Sequence, residues 1–256
     1  MASEHKEHIL DQFTRQAVPF ATAAAIRNED ALNRIVKMAE AGPGDTVLDV
    51  ACGPGLLACA FARVAQHVTG IDLTPAMLEQ ARALQRQQGL ENVTWQEGDV
   101  LPLPYADHSF SIVSTRFAFH HFLDPLAVLK EMRRVCRPGG RVVVADSAPA
   151  AHKADAFNRM ERLRDPSHVR ALSPEELRAL FVDAGLPAPR VLPDLLPGDV
   201  ESLLARSFPR EGDADRIRKI FAESLEQDDL GMATVRQDGK ICFSFPTLIL
   251  ASTITE

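Results

Sequence analysis

The stretch VLDVACGPGLLACAFA, residues 47–62, decides the fold. Val47, Leu48 and Val50 form an apolar run that ends in small residues, and from Leu56 a helical apolar spacing follows through Leu57, Ala60, Phe61 and Val64. The stretch predicts a strand, a tight turn and a helix. Free N–H groups at a helix N-terminus attract anions, and glycines in the turn let a ligand approach the backbone. Asp49, just ahead of Gly53 and Gly55, adds a negative charge aimed at the same crevice.

Outward from this unit, strand and helix patterns alternate, which predicts helices packed on a mostly parallel sheet. Two helices are expected over residues 8–40, ended by AGPGD, before a first strand at 46–51. HVTGID forms a second strand, and a helix follows with Thr74 as N-cap, Pro75 in its first turn and Gly89 past its end. NVTWQEGD, ending at Asp99, then SFSIVSTRF and RVVVAD supply three more strands, and PRVLPDLL and CFSFPTLILAST the last ones. The helix before RVVVAD is capped by Asp124 with Pro125 at its first position and ends before Gly139; SPEELRALFVDAGL is a further capped helix. Residues 150–172 and 198–239 read as helical excursions that cover the ligand edge.

A chain of 256 residues buries a full core and fits one domain. Its net charge of −7 and the absence of basic runs argue against a general nucleic-acid binder. No stretch approaches a membrane span, and MASEHKEHIL lacks the basic-then-apolar order of a secretory signal, so a cytoplasmic protein is expected. Cys52, Cys59, Cys136 and Cys242 form no CxxC pair and read as free thiols, with no metal site expected.

The glycine turn alone is ambiguous. Gly53, Gly55 and Ala58 satisfy the dinucleotide pattern G-x-G-x-x-G/A, and Asp72 falls where such sites carry an acid, so a nicotinamide-dependent oxidoreductase is a rival reading. Asp49 weighs against it, because a pyrophosphate would be repelled there. A ligand bearing an ammonium or sulfonium would be attracted, while its own carboxylate could use the N–H groups of the turn. Electrostatics favours a zwitterionic amino-acid nucleotide.

Four blocks now stand in order: VLDVACGPG, VTGIDLTPAML, EGDVLPLPYADHSFSIVSTRFAFHHF and RVCRPGGRVVVAD, over residues 45–146. With them the chain resembles the class I S-adenosylmethionine-dependent methyltransferases, in the group similar to the ubiquinone and menaquinone C-methyltransferases. The resemblance implies an α/β fold: a Rossmann-like, mostly parallel seven-stranded sheet with helices on both faces and a helical cap. Residues 1–44 would be N-terminal helices, 45–149 the cofactor-binding half, and 150–172 with 198–239 the cap. It implies S-adenosyl-L-methionine as cofactor and a small-molecule methyl acceptor, with a monomer or homodimer open and nucleic acid and membrane not expected as partners. Asp49, Ala51, Gly53 and Gly55 would wrap the methionine part, and Ala51 stands where the family usually has glycine. Asp72 would accept from the ribose hydroxyls, Leu73 and Val100 would pack on the adenine, Asp99 would accept from its amino group, and Thr115 and Arg116 would lie along the methionine end. A methyltransferase-fold protein that binds the cofactor without methylating is a third reading.

In RFAFHHFLDP, His120 and His121 sit at the sheet edge where the methyl group would lie, and either has the side chain of a general base. Adjacent loop residues point apart, so one of the pair is expected to face the acceptor, His120 lying nearer the strand end. Substrate contacts are expected from Phe13 and Phe20 on the opening helix and from Arg159 and His168 in the first excursion. The second excursion offers Leu203, Leu204, Phe208, Ile217, Ile220 and Phe221 as further pocket lining.

Overall fold

The computed structural model describes residues 2–255. Its strands are β1 (Thr46–Val50), β2 (His67–Asp72), β3 (Val93–Glu97), β4 (Phe110–Arg116), β5 (Cys136–Ser147), β6 (Arg190–Asp199), β7 (Val235–Gln237) and β8 (Lys240–Thr253). They form one sheet in the order β3-β2-β1-β4-β5-β8-β6, with β7 paired to β8 off that path. β1 to β5 run parallel, whereas β8 is antiparallel to β5, β6 and β7. The helices are α1 (Ala2–Thr22), α2 (Glu29–Met38), α3 (Leu56–Ala62), α4 (Pro75–Gln87), α5 (Pro125–Val135), α6 (Ala154–Arg164), α7 (Pro174–Asp183), α8 (Val200–Ala205) and α9 (Asp213–Gln227).

β1 is buried on both sides, as a central parallel strand must be. Val47 packs into an apolar cluster with Phe61, Val143, Phe157 and Phe221, and Leu48 into a second one with Leu129, Met132 and Phe181. The sheet therefore separates two cores, one under α2, α3, α6, α8 and α9, the other under α5 and α7. Full burial of a side chain such as Phe61 contributes about 1.5 to 3 kcal/mol.

Local chemistry fixes the helix starts. Asp124 accepts from Ala127 N at 2.9 Å ahead of α5, and Ser173 with Glu176 closes a capping box ahead of α7. Thr74 occupies the expected N-cap of α4 without a capping bond from its side chain; Asp72 Oδ1 takes the Thr74 N–H instead, at 2.8 Å. Within the segment that reads as helical over 198–239, Asp238 (φ 49°) and Gly239 (φ 77°) form a tight hairpin turn between β7 and β8, an eighth strand beyond the seven expected. Among the described residues no helix is long and apolar enough to cross a membrane.

Candidate active site

The carboxyl ends of β1 to β4 form the edge at which open α/β sheets bind ligands. After β1 the chain turns through three left-handed residues, Ala51 (φ 53°), Gly53 (φ 52°) and Gly55 (φ 78°), and Gly55 opens α3. The turn is tied to β2: Cys52 N donates to the Ile71 carbonyl at 3.0 Å, and Gly53 N to Asp72 Oδ2 at 2.7 Å. Asp72 thus bridges the amides of Gly53 and Thr74, and burial raises its pKa against those two bonds.

Asp49 and Ser114 face each other from neighbouring strands, with the Ser114 hydroxyl donating to Asp49 Oδ1 at 3.1 Å. Asp49 is 1% exposed, and its Oδ2 has no partner. Burial pushes its pKa up to about 7, against the Ser114 hydroxyl and the Arg116 charge. The Arg116 guanidinium lies 4.4 Å from the Phe117 ring and donates to the Ile26 carbonyl, and burial draws its pKa down to about 10. Asp99 Oδ1 accepts from Val100 N at 2.7 Å and Leu101 N at 3.3 Å, while Oδ2 meets Lys6 in an ion pair.

These groups border a cavity of about 400 Å³. Of the residues singled out in the sequence, Asp49, Ala51, Gly53, Asp72, Leu73, Asp99, Val100, Arg116, Phe13, Phe20 and His121 line it. Gly55 does not: the space a side chain would fill there holds Trp95 and Ala81. Thr115 is fully buried on the sheet face opposite Ser114 and Asp49, because side chains alternate along a strand. Arg159 is exposed on α6 and does not line this cavity. His168 is buried with Nε2 2.7 Å from Asn158 Oδ1, and burial holds its pKa well below the usual histidine range; it pins the loop after α6.

The two histidines part company. His120 Nδ1 lies 2.5 Å from Asp146 Oδ1, and although burial opposes the charged ring, the carboxylate keeps its pKa above the ordinary value. His121 Nδ1 donates to the Ser167 carbonyl at 3.0 Å, and burial followed by the His120 charge pushes its pKa down to about 4. His121 borders both the large cavity and a second, smaller one of about 60 Å³, whereas His120 borders the smaller one and not the large one. Residues of 150–172 and 198–239 border that smaller chamber rather than the large one, which is covered by α1. No motif in the sequence marks His5 and Lys6 of α1, yet His5 Nε2 lies 2.7 Å from the His121 carbonyl oxygen and Lys6 reaches Asp99.

A sheet in this order, with a glycine turn after β1 and carboxylates at the ends of its first strands, defines the Rossmann-like class I methyltransferase fold. Residues 48–144 match the family model described as a methyltransferase domain. Over 242 residues, 93% of this chain and 96% of the relative, the sequence is 32% identical to the uncharacterized methyltransferase YcgJ of Bacillus subtilis. The chain belongs to this methyltransferase family. The YcgJ crystal structure superposes with a TM-score of 0.81 at 30% identity, covering 89% of this chain and 99% of that one. The Bacillus halodurans protein BH2331 gives 0.80 at 26% identity, covering 89% and 100%. A ubiquinone/menaquinone biosynthesis C-methyltransferase of Bdellovibrio bacteriovorus is 42% identical over 115 residues, 44% of this chain and 48% of that protein.

Proposed function

We propose that this protein transfers the methyl group of S-adenosylmethionine to a small organic acceptor. Asp49 carries the reading. A buried carboxylate with an unpartnered oxygen is costly, so a ligand that brings a donor or cation to Oδ2 relieves that cost. The ammonium of a methionine moiety is such a group, and the residues around it fit the rest of the cofactor. Asp72 Oδ1 and Oδ2 each keep a lone pair beyond the Thr74 and Gly53 amides, free for ribose hydroxyls. Leu73 and Val100 offer apolar flanks to the adenine, and Asp99 shares its Oδ2 between Lys6 and the adenine amino group.

The bound donor supplies a methyl group on a good leaving group. The chain supplies position and dryness: Ile9, Phe13, Phe20 and Phe117 make the walls apolar, and alignment alone is worth up to about 7 to 11 kcal/mol. Where the acceptor must lose a proton, His121 is placed to take it, being neutral near pH 7 with its Nδ1–H committed to Ser167 and its Nε2 lone pair free.

The oxidoreductase reading would set a pyrophosphate against Asp49. Calorimetry distinguishes the two. S-adenosylmethionine and its demethylated product are expected to bind at micromolar order, about −8 kcal/mol, with no heat from NADH. NADH binding without a response to either methyl-cycle ligand overturns the proposal.

A further inference from the structure

The small chamber of about 60 Å³ has room for a terminal group rather than a whole organic molecule. Phe13, Phe20, Phe117 and His121 border both it and the large cavity, so these four rings form a wall the two share. Its charged groups are matched with one exception among the described residues. Glu161 takes Arg164 at 2.8 and 2.6 Å, Asp165 accepts from Ser167 N and Oγ at 2.9 and 2.6 Å, and His120 holds Asp146. Arg206 has no ion pair and no hydrogen bond from its guanidinium. Burial and the nearby Arg164 charge draw its pKa down to about 10, and Glu161 and Asp199 act on it only from beyond contact. Asp199 is itself engaged by Ser202 N and Oγ at 3.0 and 2.6 Å. The surrounding wall of Leu196, Leu203 and Phe245 is apolar.

We infer that Arg206 receives the anionic end, a carboxylate or phosphate, of the methyl acceptor, whose apolar body passes between Phe13, Phe20 and Phe117 into the large cavity. This rests on the methyltransferase reading above. A guanidinium presents donors in a fixed fork that matches an oxyanion, and half-desolvated with no partner it gains most from one. A neutral acceptor leaves that cation unpaired in the filled chamber, so the site selects amphipathic acids.

The test uses protein loaded with S-adenosylhomocysteine and three probes: phenylacetate, phenyl phosphate and the neutral phenylacetamide, with affinities from ligand-observed NMR. One or both anions are expected to bind at least about tenfold tighter than the amide. R206Q removes that preference, R206K keeps most of it, and both variants hold S-adenosylhomocysteine as the wild type does, which also shows that they fold. Preference between phenylacetate and phenyl phosphate assigns the head group. Equal binding of amide and anions, no anion binding at millimolar concentration, or an unchanged preference in R206Q overturns the Arg206 assignment alone. A wild-type chain that takes no S-adenosylhomocysteine overturns the methyltransferase reading, and the assignment with it.

Discussion

A Cβ placed on Gly55 would stand 2.5 Å from Cη2 of Trp95 and 2.9 Å from Cβ of Ala81. Gly55 is therefore a packing glycine, filled over by the indole, while Gly53 has open space on the same side of its Cα. Gly55→Ala combines left-handed strain with a clash and is expected to cost roughly 2 to 4 kcal/mol, with cofactor affinity falling at least tenfold as the Gly53 amide shifts. Gly53→Ala carries the strain alone, about 1 to 2 kcal/mol. Denaturant titration followed by emission of Trp95, the one tryptophan in the chain, measures both. Equal costs at the two positions would contradict the packing role.

Ala51 sits at φ 53°, in the left-handed region that favours glycine. Ala51→Gly releases that strain while loosening the unfolded chain, so a net gain of about 0.5 to 1 kcal/mol is expected. Cofactor affinity should stay at the wild-type value, since only main-chain atoms of this residue are asked to meet the ligand. A loss of stability in thermal melts would show that the methyl group packs usefully.

Asp49 links affinity to pH. Its pKa in the folded chain, about 7, lies above its ordinary 3.8, so its contribution to stability is fully present below the lower value and is lost as pH rises through the upper one. Asp49→Asn removes that loss: in denaturant titrations its stability relative to the wild type should grow from pH 4 to 7 and level off above, at roughly 2 to 4 kcal/mol. The ligand ammonium needs the carboxylate form, so wild-type affinity should fall by up to about tenfold per unit below pH 7. The Asp49→Asn variant should bind weakly with no such slope. A wild-type affinity that is flat from pH 5 to 8 would refute the assignment.

What the sequence disclosed follows from where its signals are local. The continuous apolar runs of β1, β2 and β4 and the caps at Asp124 and Ser173 are written within a few residues, and those elements appear where the patterns place them. The turn at Asp238 and Gly239 is equally local, but three exposed residues of β7 carry no apolar alternation, so nothing there distinguishes a strand from the helical segment before it. Thr115 shows how period matters: one position along β4 from Ser114 puts its side chain on the sheet face opposite Asp49, off the cavity lining. The site's long-range half is illegible. Lys6 meets Asp99, and Arg206 lacks a partner, only because of where distant segments land, and no spacing rule encodes either.

α1 is held over the large cavity by Lys6 on Asp99, His5 on the His121 carbonyl and Gln16 on Asp165 Oδ2 at 3.3 Å. Gln16 is buried, whereas Lys6 is half-exposed and His5 part-buried, so the first turns of α1 are the end that opens locally, and a ligand that fills the cavity beneath them should close it. Limited trypsin digestion is expected to cut after Lys6 and Arg15 first and to slow severalfold with S-adenosylhomocysteine bound. Lys6→Ala should accelerate the cut in the free protein. Cleavage that begins instead within 150–172 or 198–239, and slows there with the ligand while the α1 sites ignore it, would return the lid to those segments.

The His120–His121 pair splits its titration, and the split predicts which member handles protons. His120, held by Asp146, has its pKa raised, so it stabilises the fold fully below the unfolded value near 6.5 and loses that contribution as pH rises through the raised one. His120→Asn should therefore cost more stability at pH 5 than at pH 9. His121 is pushed the other way, to about 4, partly by the His120 charge, so above about pH 4 it stays neutral beside the His120 imidazolium. Removing His120 takes away a positive neighbour and should move the titration of His121 upward, which the imidazole NMR signals report directly. For an acceptor that loses a proton, single-turnover methylation at saturating cofactor should fall about 10²- to 10⁴-fold in His121→Ala. In His120→Asn the rate should stay within about tenfold at neutral pH, while its acid limb shifts up with the His121 titration. A larger loss at His120 than at His121 would reverse the roles, and near-normal rates in both folded variants would leave an enzyme that works by alignment.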